Sequence, residues 1–372
     1  MALDEDGIRL LQVVGLYSSV YTEIGTCKSA AARYFREEES RLGNKLTKAQ
    51  FIGVIGGTEP VLDKPAFVEM DYGTTEGGTG HIGFICHKQP ALEKGLRDRM
   101  AALKACELRS GCEFVCTTTH KGSRKDSSCF FVGADWKTGF TRKQYLEPKG
   151  IIMEQAHQAF YEEVWVALNW QIDLPSEKTQ LGYTPEQVYD LFFPIDFRFI
   201  CNPRRPAVCG RFGLPSDRLW RFEFFVMKDE GGDEMSKPEK IKEVVFPYIR
   251  HAGSQYDLSQ DVAFPEDCIK VLRSRPFKFS ARSCNRWSDG RVILCGDAAH
   301  IFPPFGGQGI ASGFRDAVSI AWRLVILCNN QSLVKTVHER VLKAWYKERK
   351  QQPEKSLAST IENGRFVTEK IR

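Results

Sequence analysis

Residues 291–324 read RVILCGDAAHIFPPFGGQGIASGFRDAVSIAWRL, one continuous strand, turn, loop and helix. Residues 291–295 are a short apolar run of strand type, and Gly296-Asp297 ends it with a residue needing no side-chain room followed by a carboxylate. A Pro303-Pro304 turn and the glycine loop Gly306-Gly307-Gln308-Gly309 follow. The chain then enters a helix whose apolar residues Ile310, Phe314, Ala317, Val318, Ala321, Leu324 and Val325 recur every three or four positions, a stripe expected to face the core. This order presents backbone N–H groups and a helix N-terminus to something anionic. Asp297 reads either as a solvated turn carboxylate or, among so many small neighbours, as a ligand contact. His300, alone just past a strand, is expected to be a satisfied structural side chain rather than an acid or base.

The sequence strand-GD-AAH-PP-GGQG-helix resembles the second flavin motif of the class A FAD-dependent aromatic hydroxylases. Its GGQGIASGFRDA and WRL segments are similar to the phenol hydroxylase-like monooxygenases of fungal secondary metabolism. The resemblance implies that Gly296 and Asp297 hold the ribitol and ribose side of FAD, and that Pro304 lends backbone beside the reacting edge. It also implies that residues 307–311, including Gly307, Gln308, Gly309 and Ile310, face the flavin N1 and C2 carbonyl. QPALEKGLRDRM, starting at Gln89, resembles the family helix whose leading glutamine contacts the flavin side chain; on residues alone Gln89 is equally a plain N-cap. VGADWKTGFTRKQYL resembles the DG motif near FAD and the nicotinamide cofactor, with Asp135 and Arg142 on its matching positions. Trp136 stands where the family has glycine, and an indole there opposes positive φ and fills room the pyrophosphate needs.

At 372 residues and 42% hydrophobic, the chain has the composition of a globular protein of two or three lobes. Its 52 basic and 47 acidic residues leave +5 with no long one-sign block, the densest being Lys347 to Lys350 on a helix face, so nucleic acid is not implied. Twelve cysteines, among them Cys86, Cys112, Cys116, Cys201, Cys209 and Cys295, form no C-x-x-C pair and sit mostly in apolar runs. Reduced thiols and a cytoplasmic setting are expected. MALDEDGIRLL places acids where a signal peptide has bases, Arg315 and Arg323 interrupt the longest apolar stretch, and no metal-ligand cluster is visible. Asn330-Gln331-Ser332 is a glycosylation sequon only in a secreted chain.

Elsewhere the spacing predicts a helix over 6–16 stopped by Gly15, helical and polar texture over 17–51, and an antiparallel excursion over 51–83. It predicts a helix over 91–106 with Leu92, Leu96, Met100 and Leu103 on one face, and strands over 112–118 and 130–134. Val164, Val166, Leu168 and Trp170 alternate, and runs at 207–212 and 220–227 flank the turn Pro215-Ser216-Asp217. Trp170, Phe212, Trp220, Phe222 and Phe224 are either core or pocket lining, with core the plainer reading. Leu333, Val334, Val337, Val341 and Trp345 mark another helix, and 354–372 is a polar end.

The resemblance organises these pieces as an α/β fold, a discontinuous and incomplete Rossmann-like FAD-binding domain with an inserted antiparallel-sheet substrate domain. The FAD domain is expected over 1–50, 81–147 and 288–346, a substrate-domain excursion over 51–80, the substrate domain over 148–287 and a C-terminal polar helix or tail over 347–372. Family members begin with strand-GxGxxG-helix, which this sequence lacks; GVIGG at 53–57 has neither the spacing nor a following helix. Without that loop, about three charge-assisted hydrogen bonds to the pyrophosphate, ~5 kcal/mol or a factor of about 10⁴ in affinity, are missing. The implied activity is FAD-dependent monooxygenation of a phenolic or polyketide-derived aromatic with NADPH or NADH and O2, in secondary-metabolite biosynthesis. The alternative is a truncated, non-catalytic relative with a binding role, or an incorrectly delimited gene product. No catalytic side chain is assigned.

Overall fold

The computed structural model describes residues 2–27, 51–71, 84–112, 128–155, 161–176, 181–330, 332 and 334–368. The chain divides into two compact units, one of Met1–Arg99, Glu163–Lys278 and Gly364–Arg372, the other of Met100–Glu162 and Phe279–Asn363. The expected strand over 112–118 lies almost wholly outside the described residues.

The first unit is built on a seven-stranded sheet in the order Ile269–Ser280, Glu162–Ile172, Leu219–Phe225, Ala207–Phe212, Phe197–Cys201, Phe51–Gly56, Val68–Asp71. Phe51–Gly56 runs parallel to Phe197–Cys201 and antiparallel to Val68–Asp71, so the expected excursion from residue 51 is an edge of this sheet. Register pairs Trp220 with Trp170, Phe222 with Leu168 and Phe224 with Val166, stacking large apolar side chains on one face. The helices Pro185–Phe192 and Pro238–Val245 close that face with Val188, Tyr189, Phe192, Ile241 and Val245. A capping box starts the first of them: Thr184 Oγ1 accepts from Gln187 N at 3.3 Å, and Gln187 Oε1 accepts from Thr184 N at 2.9 Å. Trp170, Trp220, Phe222 and Phe224 are therefore core, whereas Phe212 packs on the opposite face with Phe197 and Phe199. Trp165 and Ala167 are buried as well, which breaks the alternation read from sequence because both faces are covered there.

A smaller antiparallel sheet of Ala2–Asp4, Phe84–His87 and Gly25–Cys27 completes this unit. The helix Glu5–Val13 begins where Asp4 Oδ1 accepts from Gly7 N at 2.7 Å, and the chain turns at Gly15 with φ 73°. Past it the backbone coils through Tyr17–Ser19 and Val20–Ile24 into the Gly25–Cys27 strand; of the helical texture expected over 17–51, residues 28–50 lie outside the described residues. Gln89–Ala101 is helical as predicted but ends five residues early, burying Leu92 while Met100 and Leu103 are exposed.

In the second unit, Val292–Leu294 pairs parallel with Phe131–Gly133 and antiparallel with Ser288–Asp289. His300–Ile301, Arg282–Cys284 and Met153–Gln155 form a second antiparallel set. Trp287, Ile293, Leu294, Ile320, Leu327, Leu342 and Trp345 share one core beneath the helices Gln308–Asn329 and Lys335–Thr368.

One expectation is corrected here. The Gln308–Asn329 helix buries Ala311, Ser312, Asp316, Ile320, Arg323 and Leu327, while Val318, Trp322, Val325 and Ile326 are exposed. It is turned away from its apolar stripe because two charged residues on the buried face find internal partners. The polar end, expected as helix or tail, is helical through Pro353 to Thr368 and buries Leu357 and Ile361. Among the described residues no helix is long and apolar enough to cross a membrane.

Candidate functional site

The residues singled out in 291–324 converge on one turn. The buried Val292–Leu294 strand delivers Cys295, whose N–H donates to Gly133 O at 3.0 Å, and then Gly296 with φ 58°. That left-handed conformation suits glycine. A Cβ added to Gly296 would lie 4.0 Å from Gly313 Cα on the helix, so two glycines let the turn and the helix approach closely. Asp297 follows in the short Gly296–Ala298 turn, and burial raises its carboxyl above the ordinary range, against the positive influence of His300 and Lys137.

A buried carboxylate locks this turn to the helix. Asp316, fully buried, accepts from Gly296 N at 2.9 Å and lies 2.7 Å from His300 Nε2 through Oδ2, while Oδ1 accepts from Arg349 Nε at 2.8 Å. Burial alone would raise Asp316; His300, Arg349 and the Gly296 N–H outweigh it and hold the carboxyl below its usual range. Arg349 also donates to Ser312 O at 3.3 Å. His300 packs on Trp287 with ring centroids 4.9 Å apart, but its buried Nδ1 finds no hydrogen-bond partner among the described residues, so it is only partly the satisfied side chain expected. Sequence reasoning missed Asp316, Gly313 and Arg349. Asp316 is four residues from both Ser312 and Ile320, and a charge in line with buried small and apolar residues signals a buried partner. Arg349 is hidden in the basic run 347–350, which reads as a solvated face.

The glycine loop supplies the opening. Gly306 and Gly307 take φ 97° and 68°, and Gly307 N donates to Pro304 O at 3.3 Å. Pro304 itself is exposed. Gln308 begins the 22-residue helix with no side-chain cap and no acid in its first turn. A Cβ placed on Gly309 would meet nothing within 4 Å, so the first turn, with Ile310 next, faces open space. Uncapped N–H groups, dipole and room together suit an anionic or electron-rich group. These residues fit the edge of a flavin.

The Asp135 segment enters from the neighbouring parallel strand. Asp135 Oδ2 accepts from Thr141 N at 2.8 Å, and a Cβ on Gly139 would lie 2.0 Å from Asp135 O, so this turn is closed tightly by its own residues. Trp136 takes φ 73°, the conformation in which the motif has glycine, with its side chain 57% exposed. The indole thus does adopt the positive φ it was expected to resist. Arg142 is buried and bonds to the Glu147 carboxylate and the Lys137 carbonyl. Gln89 belongs to the other unit, where it opens its helix and donates to Glu93 Oε1 at 2.7 Å.

That other unit carries a polar cluster on the second face of its large sheet. Arg221 Nε donates to Asn169 Oδ1 at 2.9 Å, lies 3.4 Å from buried Glu223 and sits over the Phe212 ring at 5.7 Å. Burial lowers Arg273, as do the charges of Arg275 and Arg221, and burial with Arg221 nearby pushes His87 down to about 3. Around Arg221, three guanidiniums stand with one carboxylate, Glu223, so this part of the face is cationic; Glu163 lies further along the same face.

Residues 254–358 match the FAD binding domain family. Over 151 residues the chain is 36% identical to 3-(3-hydroxy-phenyl)propionate/3-hydroxycinnamic acid hydroxylase of Burkholderia cenocepacia, covering 40% of this chain and 24% of that protein. The corresponding Escherichia coli O139:H28 hydroxylase is 33% identical over 132 residues, 36% of this chain and 21% of that one. The chain thus spans about a quarter of the length of the curated relatives it matches. Among solved structures, aklavinone-11 hydroxylase in complex with FAD and aklavinone superposes with a TM-score of 0.64 at 15% identity, over 99% of this chain and 61% of that one. 2-Methyl-3-hydroxypyridine-5-carboxylic acid oxygenase gives 0.61 at 16% identity, over 100% and 82%. The fold is therefore the mixed α/β architecture of these two structures, and the sequence similarity to the hydroxylases is confined to part of the chain.

Proposed function

We propose that this chain is an FAD-dependent monooxygenase that hydroxylates a phenolic or polyketide-derived aromatic with NADPH or NADH and O2, in a cytoplasmic secondary-metabolite route. The observation that carries this reading is the Gly296-Asp297 turn, held through Asp316 to an uncapped helix N-terminus with open space at Gly309. Bound FAD supplies the redox chemistry that places one oxygen atom on the ring. The chain supplies positioning. Asp297 would hold the ribityl and ribose side of the cofactor, and the backbone of residues 307–310 would meet its electron-rich edge, where the helix dipole favours negative charge. Asp135, Arg142 and Gln89 are proposed to complete the cofactor's surroundings, with residues 1–50, 81–147 and 288–346 as the flavin domain and 148–287 as the substrate domain. The cationic sheet face around Arg221 and Arg273 favours a ring bearing a phenolate or carboxylate.

A second reading, a non-catalytic relative that binds another molecule, is favoured by two observations: Trp136 at the turn and the engagement of Arg142 by Glu147. Titrating the full chain with FAD by flavin fluorescence, with NADPH oxidation followed in the presence of 3-(3-hydroxyphenyl)propionate, separates the two. Saturable FAD binding weakened by Asp297→Ala, with aromatic-stimulated NADPH oxidation, supports the monooxygenase. FAD curves identical for parent and variant overturn the assignment of the site.

A further inference from the structure

On the second face of the seven-stranded sheet, the flavin reading leaves a group of arginines without a task. Both close polar partners of Arg221 approach the same nitrogen: Nε donates to Asn169 Oδ1 at 2.9 Å and lies 3.4 Å from Glu223 Oε1. Among the described residues its two terminal nitrogens have no hydrogen-bond partner, and the side chain is 18% exposed, so a ligand can reach them. Asn169 pairs with Arg221 in register and separates it from the edge strand Ile269–Ser280. Asp173 N donates to Cys268 O at 2.8 Å and Ala281 N to Tyr161 O at 3.2 Å, which sets Arg273 opposite Asn169 to within one residue. Ser274 Oγ donates to Ser236 O at 2.7 Å, and a Cβ on Gly232 would meet both Pro276 and Val164, so Ser274, Pro276 and Val164 share the helix-covered face. Arg273 and Arg275 alternate with them and point to the face of Asn169 and Arg221. Each has its guanidinium 4.5 Å from the Phe277 ring centroid, and neither has a hydrogen bond or ion pair among the described residues. Glu163 is six residues from Asn169, about 20 Å along an extended strand, too far to neutralise them. Beside the cations the face turns aromatic. Phe212 lies 5.7 Å from the Arg221 guanidinium, and Gly210, the register partner of Arg221, leaves room for Phe197, which a Cβ there would meet at 2.6 Å.

We propose that this face is a carboxylate subsite, in which the terminal nitrogens of Arg221, with Arg273 beside it, hold the carboxylate of a small aromatic acid whose ring lies on Phe212 and Phe197. A carboxylate presents two oxygens at the spacing of the paired N–H groups of a guanidinium, which the single oxygen of a phenolate does not. Asn169 holds Arg221 at Nε, so the paired side is already oriented before the ligand arrives. Strands about 4.8 Å apart set the Cα atoms of Arg221 and Arg273 about 10 Å apart with Asn169 between them, a span that two long side chains close onto one anion. An anion there also offsets the mutual repulsion of guanidiniums that share a single nearby carboxylate, Glu223. The substrate is then an aromatic acid rather than a neutral polyketide. That identification rests on the monooxygenase reading, whereas the binding itself does not require FAD.

The probes are 3-(3-hydroxyphenyl)propionate and its primary amide, an uncharged counterpart of the same shape, titrated calorimetrically into the full chain without FAD and again with it. The acid should bind saturably and at least about 10-fold more tightly than the amide, as a charge-assisted contact requires. Arg221→Met should weaken the acid by about 10- to 100-fold and leave the amide within about 2-fold. Arg221→Lys should restore only part of the loss, since an ammonium is a point charge without the paired geometry. Arg273→Met, on the edge strand, should weaken the acid in the same direction, and it decides the matter where Arg221→Met loses its circular-dichroism spectrum. Equal affinity for acid and amide, acid binding unchanged in the folded methionine variants, or no binding of the acid by the parent chain overturns the proposal. FAD binding together with indifference to the carboxylate removes this subsite and leaves the monooxygenase reading standing; selectivity for the acid in a chain that does not bind FAD does the reverse.

Discussion

Asp297 is a costly residue for the chain to keep. Burial raises its carboxyl, so the folded state holds the proton more tightly than the unfolded state. A group raised in this way favours folding at low pH, and its contribution is lost as pH rises through the raised value. Asp297→Asn should therefore melt above the parent at pH 7.5, and that advantage should shrink toward pH 4; equal melting temperatures at pH 7.5 would count against the burial argument. The same variant should bind FAD more weakly by roughly one to two orders of magnitude, because a charged hydrogen bond is worth about 1.5–3 kcal/mol. Trp136 poses the converse case. A side chain at φ 73° costs about 1–2 kcal/mol, and glycine there returns some 0.5–1 kcal/mol of unfolded-state entropy. Trp136→Gly should thus leave stability within about 1 kcal/mol of the parent while improving FAD affinity in fluorescence titrations. Unchanged affinity with an intact circular-dichroism spectrum would mean that the exposed indole never obstructed the turn.

At the level of elements, the strand, turn, glycine loop and helix start were legible because each depends on local chemistry: a glycine at positive φ, prolines before the loop, a first helical residue at Gln308. The helix's orientation was not. Counting apolar residues places Ile310, Phe314, Ala317, Val318, Ala321, Leu324 and Val325 inward, yet Ala317, Val318, Ala321 and Val325 are exposed. Asp316 is buried by Arg349 from the next helix, and Arg323 by Ser319 and Glu348; two of these partners come from a distant segment that periodicity cannot see. The pairing makes a strong prediction. Arg349→Met removes one member and leaves a buried carboxylate facing Gly296, so it should cost about 3–5 kcal/mol in chemical denaturation. Asp316→Asn should cost less, since an amide oxygen still accepts from Gly296 N. Because Asp316 is held below its usual range, its contribution is present above the ordinary carboxylate value of about 4 and is lost as pH falls through the lowered one. The stability gap between parent and Asp316→Asn should close in acid.

The described residues form two compact units, and the chain passes between them repeatedly, at residues 99, 162, 278 and 363. One core is centred on Trp170, Trp220 and Phe222 in the seven-stranded sheet; the other gathers Trp287, Ile293 and Trp345 beneath the flavin-type turn. Among the described residues no buried side chain is common to the two, so each should have its own cooperative opening, despite the interleaved sequence. Truncating a fully buried tryptophan costs about 3–5 kcal/mol, enough to raise the open population of its own unit by more than a hundredfold. Trp220→Ala should accelerate amide exchange across Glu162–Ile172, Ala207–Phe212 and Leu219–Phe225 while Val292–Leu294 and the Gln308–Asn329 helix stay protected. Trp345→Ala should reverse that pattern. Peptide-resolved exchange by mass spectrometry reads both in one experiment, and exchange that rises everywhere in either variant would mean that the chain unfolds as one. Separate opening would let the flavin-type turn keep its geometry while the sheet that is proposed to receive the aromatic ring varies.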